Sequence, residues 1–172
     1  VVLKGSSPEL THKTEMGMVR VNLKNRDDVG GAFDELSGKG IRLEGFLVQE
    51  MVEGRREFVI GLTRDPQFGP SVMFGLGGIF TEAMKDVSFR VAPLSEDDAR
   101  EMIGEIRAAK LLDAFRGEKA VDREILVRAL VGIGHLGMKH EEIAEIDINP
   151  LIIRDGKPIA VDALVILKAH RA

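Results

Sequence analysis

EIDINPLIIRDGKPIAVDALV, residues 145–165, is the stretch whose reading decides the fold. Ile146 and Ile148 share one side of any strand with this phase; Asp147 and Asn149 share the other, and Pro150 follows at once. Asp155-Gly156 is the strongest kind of two-residue hairpin signal. With those two residues as the loop, Arg154 pairs with Lys157, Ile152 with Ile159 and Asn149 with Asp162. Directly opposed residues hold their Cβ atoms ~4.5–5.5 Å apart and point to one face. Asp147 lies two residues from Asn149 on that face. Two strands thus present two carboxylates and an amide oxygen to a common point. All-oxygen ligation by a few groups, with positions left for phosphate oxygens and water, is the chemistry of Mg²⁺ bound together with a nucleotide. An exposed polar face on an edge hairpin fits the same letters, and a one-residue slip of the turn would undo the pairing.

The rest of the chain sets bounds on this reading. Its 172 residues are enough for one substantial domain or two small lobes sharing a cleft. Hydrophobic residues at 44% and charged residues at 30% are the balance of a globular protein. A net charge of -4 argues against broad binding to a nucleic-acid backbone, which wants a basic face. Cysteine is absent, which excludes disulfides and thiolate metal sites and points to a reducing cytoplasm. No apolar run reaches the ~20 residues a membrane helix needs, so no membrane partner is expected. VVLK at the start reads as a buried strand already under way, so a fragment or trimmed product is expected.

Residues 5–17, GSSPELTHKTEMG, have no apolar period and read as a loop long enough to have a task. MVRVNL (18–23) alternates as a strand, and 27–37 has helical spacing. LEGFLVQEMV (43–52) and REFVIGLTRD (56–65) read as strands joined by a hairpin turn at Glu53-Gly54-Arg55. PSVMFGLGGIFTE is a strand entering a glycine turn, and VSFRVAPL is another strand. Ser95 with Asp98 resembles a capping box opening a helix through about Ile106. Asp122 caps a second helix that Gly137 is expected to stop. Strands 145–153 and 158–167 close the chain. Strands outnumber helices and hairpins are frequent, so the class is α+β with largely antiparallel sheets.

Other residues invite chemistry one by one. Lys4, at the end of an apolar strand, suits a fixed charge on phosphate, or simply emerges there. His12 sits in a polar loop; neutral imidazole accepts phosphoryl groups, although such a histidine is commonly a solvated surface residue. Gln49-Glu50-Met51-Val52 suits a hinge whose backbone reads a base, and Glu57 suits ribose hydroxyls or a metal; both glutamates also fit plain solvent-facing positions. FGLGG lacks the GK[ST] of a P-loop and carries little signal alone beyond a turn whose backbone approaches something closely.

Taken in order, VVLKGSSPELTHKTEMGMV, LVQEMVEGRREFVIGLTRDPQFGPSVMFGLGGIFTE and EIDINPLIIRDGKPIAVDALV resemble the ATP-grasp domain of ADP-forming (NDP-forming) acyl-CoA synthetases. These are relatives of the β subunit of succinyl-CoA synthetase. The resemblance covers nearly the whole chain and is least distinctive around 105–120. It implies an ATP-grasp fold, with nucleotide held between two α+β lobes: residues 1–45 the remainder of the first, 46–172 the second, and a hinge near 48–53. It implies that Lys4 contacts ATP phosphate, that Glu50 and the hinge backbone through Val52 and Glu53 hold adenine, and that Glu57 binds nucleotide. Asn149 and Asp162 match the two Mg²⁺ ligands, Asp147 an acidic residue near phosphoryl transfer, and His12 a phosphohistidine in an SP-x-x-x-HK loop.

The implied activity joins an acid to CoA with ATP, giving ADP and phosphate, reversibly. The phosphoryl group passes through a histidine on a CoA-binding α subunit or domain and then through His12, so a hetero-oligomer or fused chain is expected. The sequence departs from the family at Gly17-Met18, where two glycines are usual, and the resemblance leads us to expect the first strands and helix of the N-terminal lobe upstream of Val1. Two alternatives are a non-catalytic ATP-grasp module of a protein acetyltransferase and another ATP-grasp carboxylate ligase working without phosphohistidine.

Overall fold

The computed structural model describes residues 1–7, 16–78 and 85–168, and the chain divides into two units, Val1–Met51 and Val52–Ala172. In the first, β1 (Val2–Ser6) lies between β2 (Val19–Arg20) and β3 (Gly45–Gln49), antiparallel to both. Helix α1 (Arg26–Ser37) is capped by Asn25, whose side chain accepts the Asp28 N–H. Its Ala32 and Leu36 close a small core with Leu3 and Met18. The strand expected over 18–23 shrinks to two residues because Asn22 adopts a φ of 60° and turns the chain out of the sheet.

The second unit is built on a six-stranded antiparallel sheet. Its strands are β4 (Glu57–Asp65), β5 (Gly69–Leu76), β6 (Val87–Val91), β7 (Ile143–Arg154), β8 (Lys157–Ala160) and β9 (Leu164–Leu167). They lie in the order β6-β5-β4-β7-β8, with β9 also paired to β7. Helices α2 (Glu96–Glu105) and α3 (Arg123–Lys139) supply Met102, Ile103, Leu126 and Leu130 to a core shared with Phe58, Ile60, Leu62 and Phe74 of the sheet. Burying each such side chain contributes about 1.5–3 kcal/mol. The expected caps form at both helices. Ser95 and Asp98 make a reciprocal capping box, and the Asp122 carboxylate accepts the Glu124 and Ile125 N–H groups. Among the described residues no helix is long and apolar enough to cross a membrane.

Two expectations about turns and helix ends are corrected. Strands β3 and β4 do not form a hairpin through Glu53-Gly54-Arg55, since β3 pairs with β1 and β4 with β5 and β7. Gly54 instead lies so close to the Ile153 carbonyl that a Cβ would overlap it. Gly45–Gln49 pairs along its whole length with β1 and lies in the first unit. Gly137 does not end α3, which runs on to Lys139; a Cβ there would press on Leu62 and Pro70, so the glycine serves helix-on-sheet packing.

The weakly patterned region 105–120 is held by two buried charges. Arg56, 6% exposed, pairs with Glu118 at 2.7 Å and donates to the carbonyls of Leu111 (2.9 Å), Asp113 (3.1 Å) and Lys119 (2.6 Å). Asp86, also buried, accepts the N–H groups of Arg107 and Ala108, each at 2.7 Å, and so caps the 3₁₀ helix Arg107–Leu112 from a distant part of the chain. Neither charge is left unpaired, as burial requires.

Candidate functional site

The site is built around an interruption in β7. On one side of it Ile60 faces Ile148, and on the other Phe58 faces Leu151, so Asn149 and Pro150 stand opposite the single residue Val59. This is a β-bulge, and the peptide between its two residues is cis. Proline cannot donate to the ladder, which makes it a natural place for pairing to lapse. The bulge changes which residues face the core. Ile146 and Ile148 pack inward before it, and Leu151 and Ile153 after it. A uniform alternation through 145–153 therefore does not hold, although the part that frames Asp147 and Asn149 does.

The turn at Asp155-Gly156 forms as expected, with Arg154 opposite Lys157 and Ile152 opposite Ile159. The same offset reappears beyond the break, where Asp147 faces Leu164 and Ile146 faces Val165. Between the two runs, the Val161 N–H donates to the Pro150 carbonyl at 3.2 Å. This continuous offset places Asn149 opposite Asp162 in a three-residue gap, 161–163, that separates β8 from β9. The expected single strand over 158–167 is thus two strands, and Asp162 lies in the opening. Asp147, Asn149 and Asp162 are all half-buried.

A second approach comes from the glycines after β5. The Gly77 N–H donates to the Glu57 carbonyl at 2.8 Å, and a Cβ on Gly77 would overlap the Phe58 backbone. Gly78 has a φ of +67°, and a Cβ there would meet the Glu57 carboxylate. The Gly78 N–H donates to Asn149 Oδ1 at 3.3 Å. Glu57 and Asn149, 92 positions apart by number, thus meet at one residue that the sequence reading did not single out. The signal was present in FGLGG, whose spacing identifies a turn but not its partners.

The remaining candidates distribute as follows. Lys4 is in the interior of β1 rather than at its end, paired with Leu47 and Val19, and only 7% exposed. Glu50 is exposed at the end of β3, in the first unit. Val52, buried, and Glu53, exposed, open the second. Glu53 also lines a cavity of about 500 Å³ with Arg55, Lys119 and Arg154. His12 lies outside the described residues. Among the described residues, no three or more His, Asp or Glu side chains gather as a metal cage. The oxygen donors at Asn149 and Asp162 suit a hard cation that takes its other ligands from elsewhere.

A family model described as an ATP-grasp domain matches residues 1–167. The β subunit of acetate–CoA ligase (ADP-forming) I from Pyrococcus furiosus is 46% identical over 97% of this chain and 75% of its own length. The acetate–CoA ligase (ADP-forming) I of Archaeoglobus fulgidus is 40% identical over 97% of this chain but only 25% of its own length. Among solved structures, acetyl-coenzyme A synthetase 1 of Ca. Korarchaeum cryptofilum is 48% identical with a TM-score of 0.85, covering 98% of this chain and 76% of that one. That structure holds coenzyme A and Mg-AMPPCP, with its phosphohistidine segment pointing towards the nucleotide site. The antiparallel fold and a match running through nearly every residue mean that this protein belongs to the ATP-grasp family, in the group formed by the ADP-forming acid–CoA ligases.

Proposed function

We propose that this chain supplies the nucleotide- and metal-binding part of an ADP-forming acid–CoA ligase, which converts acid, CoA and ATP into acyl-CoA, ADP and phosphate. The observation that carries the reading is the register of β7, which sets Asn149 opposite Asp162 at a break in the sheet. Asn149 and Asp162 hold Mg²⁺, with Asp147 nearby on the same strand. The donor set fits that ion: oxygen atoms only, few enough to leave coordination positions for phosphate. When bound, Mg²⁺ offsets phosphate charge and fixes its geometry.

The chain's own residues then have separate tasks. Glu57 takes the nucleotide, Glu50 with Val52 and Glu53 the adenine end, and Lys4 a phosphate oxygen. A lysine held within a sheet loses little further freedom when it meets an anion, which favours it as a fixed charge. His12 accepts the phosphoryl group and passes it on to ADP in the direction of ATP synthesis. The partner is a CoA-binding subunit or domain bearing the other histidine. A separate α subunit and a fused chain are both compatible with relatives of which one is named a β subunit and another is matched over only 25% of its length.

The test uses the full-length protein with its CoA-binding half. Asp162→Ala is expected to weaken Mn²⁺ binding in the presence of ATP by roughly tenfold or more, while stability changes by about 0.5 kcal/mol or less, because the residue lies outside the core. Acid-labile phosphate on the protein is expected to fall in His12→Ala. Unchanged Mn²⁺ affinity in Asp162→Ala would remove the metal assignment, and an unchanged phosphoenzyme, with the partner histidine replaced, would remove the relay.

A further inference from the structure

Asparagine is an awkward metal ligand because its two ends are nearly identical in shape and opposite in function. The oxygen binds a cation; the NH₂ group, turned to the same place, repels it. Something must keep the amide the right way round. Here the Gly78 N–H reaches Asn149 Oδ1 at 3.3 Å. A backbone donor can only be met by the oxygen, so this bond selects one of the two orientations. The carbonyl oxygen retains a second lone pair for another partner.

The donor is itself held in place. The Gly77 N–H is tied to the Glu57 carbonyl, the Gly77 Cα is packed on the Phe58 backbone, and the Glu57 carboxylate lies where a Gly78 side chain would begin. The φ of +67° at Gly78 is a conformation that glycine adopts without penalty. We propose that Gly78 is a positioning residue for the metal end of the site: its N–H fixes the Asn149 amide with the oxygen towards the cation. This rests on reading Asn149 as a metal ligand. Outer donors that orient a ligand commonly matter by about 10–100-fold in metal affinity. It also gives Glu57 a second task beside the nucleotide, since its carboxylate buttresses the turn that carries the donor.

The distinguishing background is Asn149→Asp. A carboxylate has oxygen at both ends, so it needs no help in choosing an orientation. Mn²⁺ binding in the presence of a non-hydrolysable ATP analogue is measured, by electron paramagnetic resonance, on the full-length protein with Gly78→Ala, Asn149→Asp, Asn149→Ala and the Gly78→Ala/Asn149→Asp pair. Gly78→Ala is expected to raise the Mn²⁺ midpoint roughly tenfold with asparagine present, and less than about threefold in the Asn149→Asp background. Displacement of Glu57 by the new methyl is common to both backgrounds, so it alone would produce equal changes. Equal changes, or none in Gly78→Ala, overturn the proposal while leaving the ligand reading standing. An Asn149→Ala midpoint equal to wild type overturns both. Should Gly78→Ala fail to fold, nuclear magnetic resonance of the unmodified turn decides: the Gly78 amide proton is expected to shift on adding Mg²⁺ with the analogue, and to do so less in Asn149→Ala. A shift that is the same in both proteins overturns the proposal.

Discussion

The two units carry very different amounts of core. Among the described residues, four buried side chains (Leu3, Met18, Ala32 and Leu36) form the cluster of the first, against twenty-one in the second. In the first unit Phe33, Leu47 and Val48 remain substantially exposed, and α1 contains the helix-weakening pair Gly30-Gly31. In the second, two capped helices seal one sheet face, and each buried charge has its partners. The candidate metal end belongs wholly to this second unit. The difference teaches that the residues proposed to hold Mg²⁺ stand on a scaffold with a large core, whereas Lys4 and Glu50 stand on one with a small core. Ligand-dependent ordering is therefore to be sought in the first unit.

The largest expected effect tests whether the two stabilities are separable. Phe74 is fully buried and stacks on Phe58 with ring centroids 5.6 Å apart. Phe74→Ala is expected to remove about 3–5 kcal/mol, through lost burial and the cavity left behind. Hydrogen exchange resolved along the chain should show protection falling across Val52–Ala172 and little change in Val1–Met51. A parallel fall in both would mean one cooperative transition and would break the comparison.

A smaller effect works in the opposite direction. Gly30 and Gly31 are exposed in the middle of α1, and a Cβ at either would meet nothing within 4 Å. Gly30→Ala and Gly31→Ala are each expected to stabilise the helix by up to about 1 kcal/mol. Slower exchange confined to the first unit would sharpen the contrast. No gain would show that its weakness lies in its core rather than its helix.

How far the letters alone could reach follows from the same contrast between local and distant causes. The capping box at Ser95 and Asp98, the cap at Asp122 and the turn at Asp155-Gly156 are short-range patterns, and each formed where it was read. Gly137 and Gly54 were misread because their reasons are tertiary: one makes room for Leu62 and the other for the Ile153 carbonyl. The bulge at Asn149 and Pro150 exists only relative to β4, so a single strand's alternation cannot announce it. The offset that sets Asn149 opposite Asp162 was still legible because it depends on β7 and its own hairpin, whose register is the same on both sides of the gap. Gly78 was not, because its hydrogen bond spans 71 positions.

The smallest effect concerns acid. In the first unit Arg20 hydrogen-bonds both oxygens of Glu35 and holds that carboxyl below the usual glutamate range. In the second, the Ser95 hydroxyl and N–H lower Asp98, and Arg90 lowers Glu105. A carboxyl depressed in the folded state contributes stability that is present above its unfolded pKa and is lost as pH falls through the folded one. The window therefore opens near the ordinary value of ~4.3 for glutamate and closes below the depressed value. All these groups are exposed and screened, so each contribution is slight. In the second unit such a loss is set against a large core; in the first, the same loss is a greater share of the whole. Protection in Val1–Met51, corrected for the intrinsic exchange rate at each pH, is accordingly expected to fall at a higher pH than protection in the second unit as acid is added. Glu35→Gln removes the titrating group and should flatten that dependence, lowering protection at neutral pH by the same slight amount that the unmodified protein loses in acid. If the acid dependence of the first unit is the same with and without the carboxyl, the Arg20–Glu35 pair is a surface contact with no part in its stability.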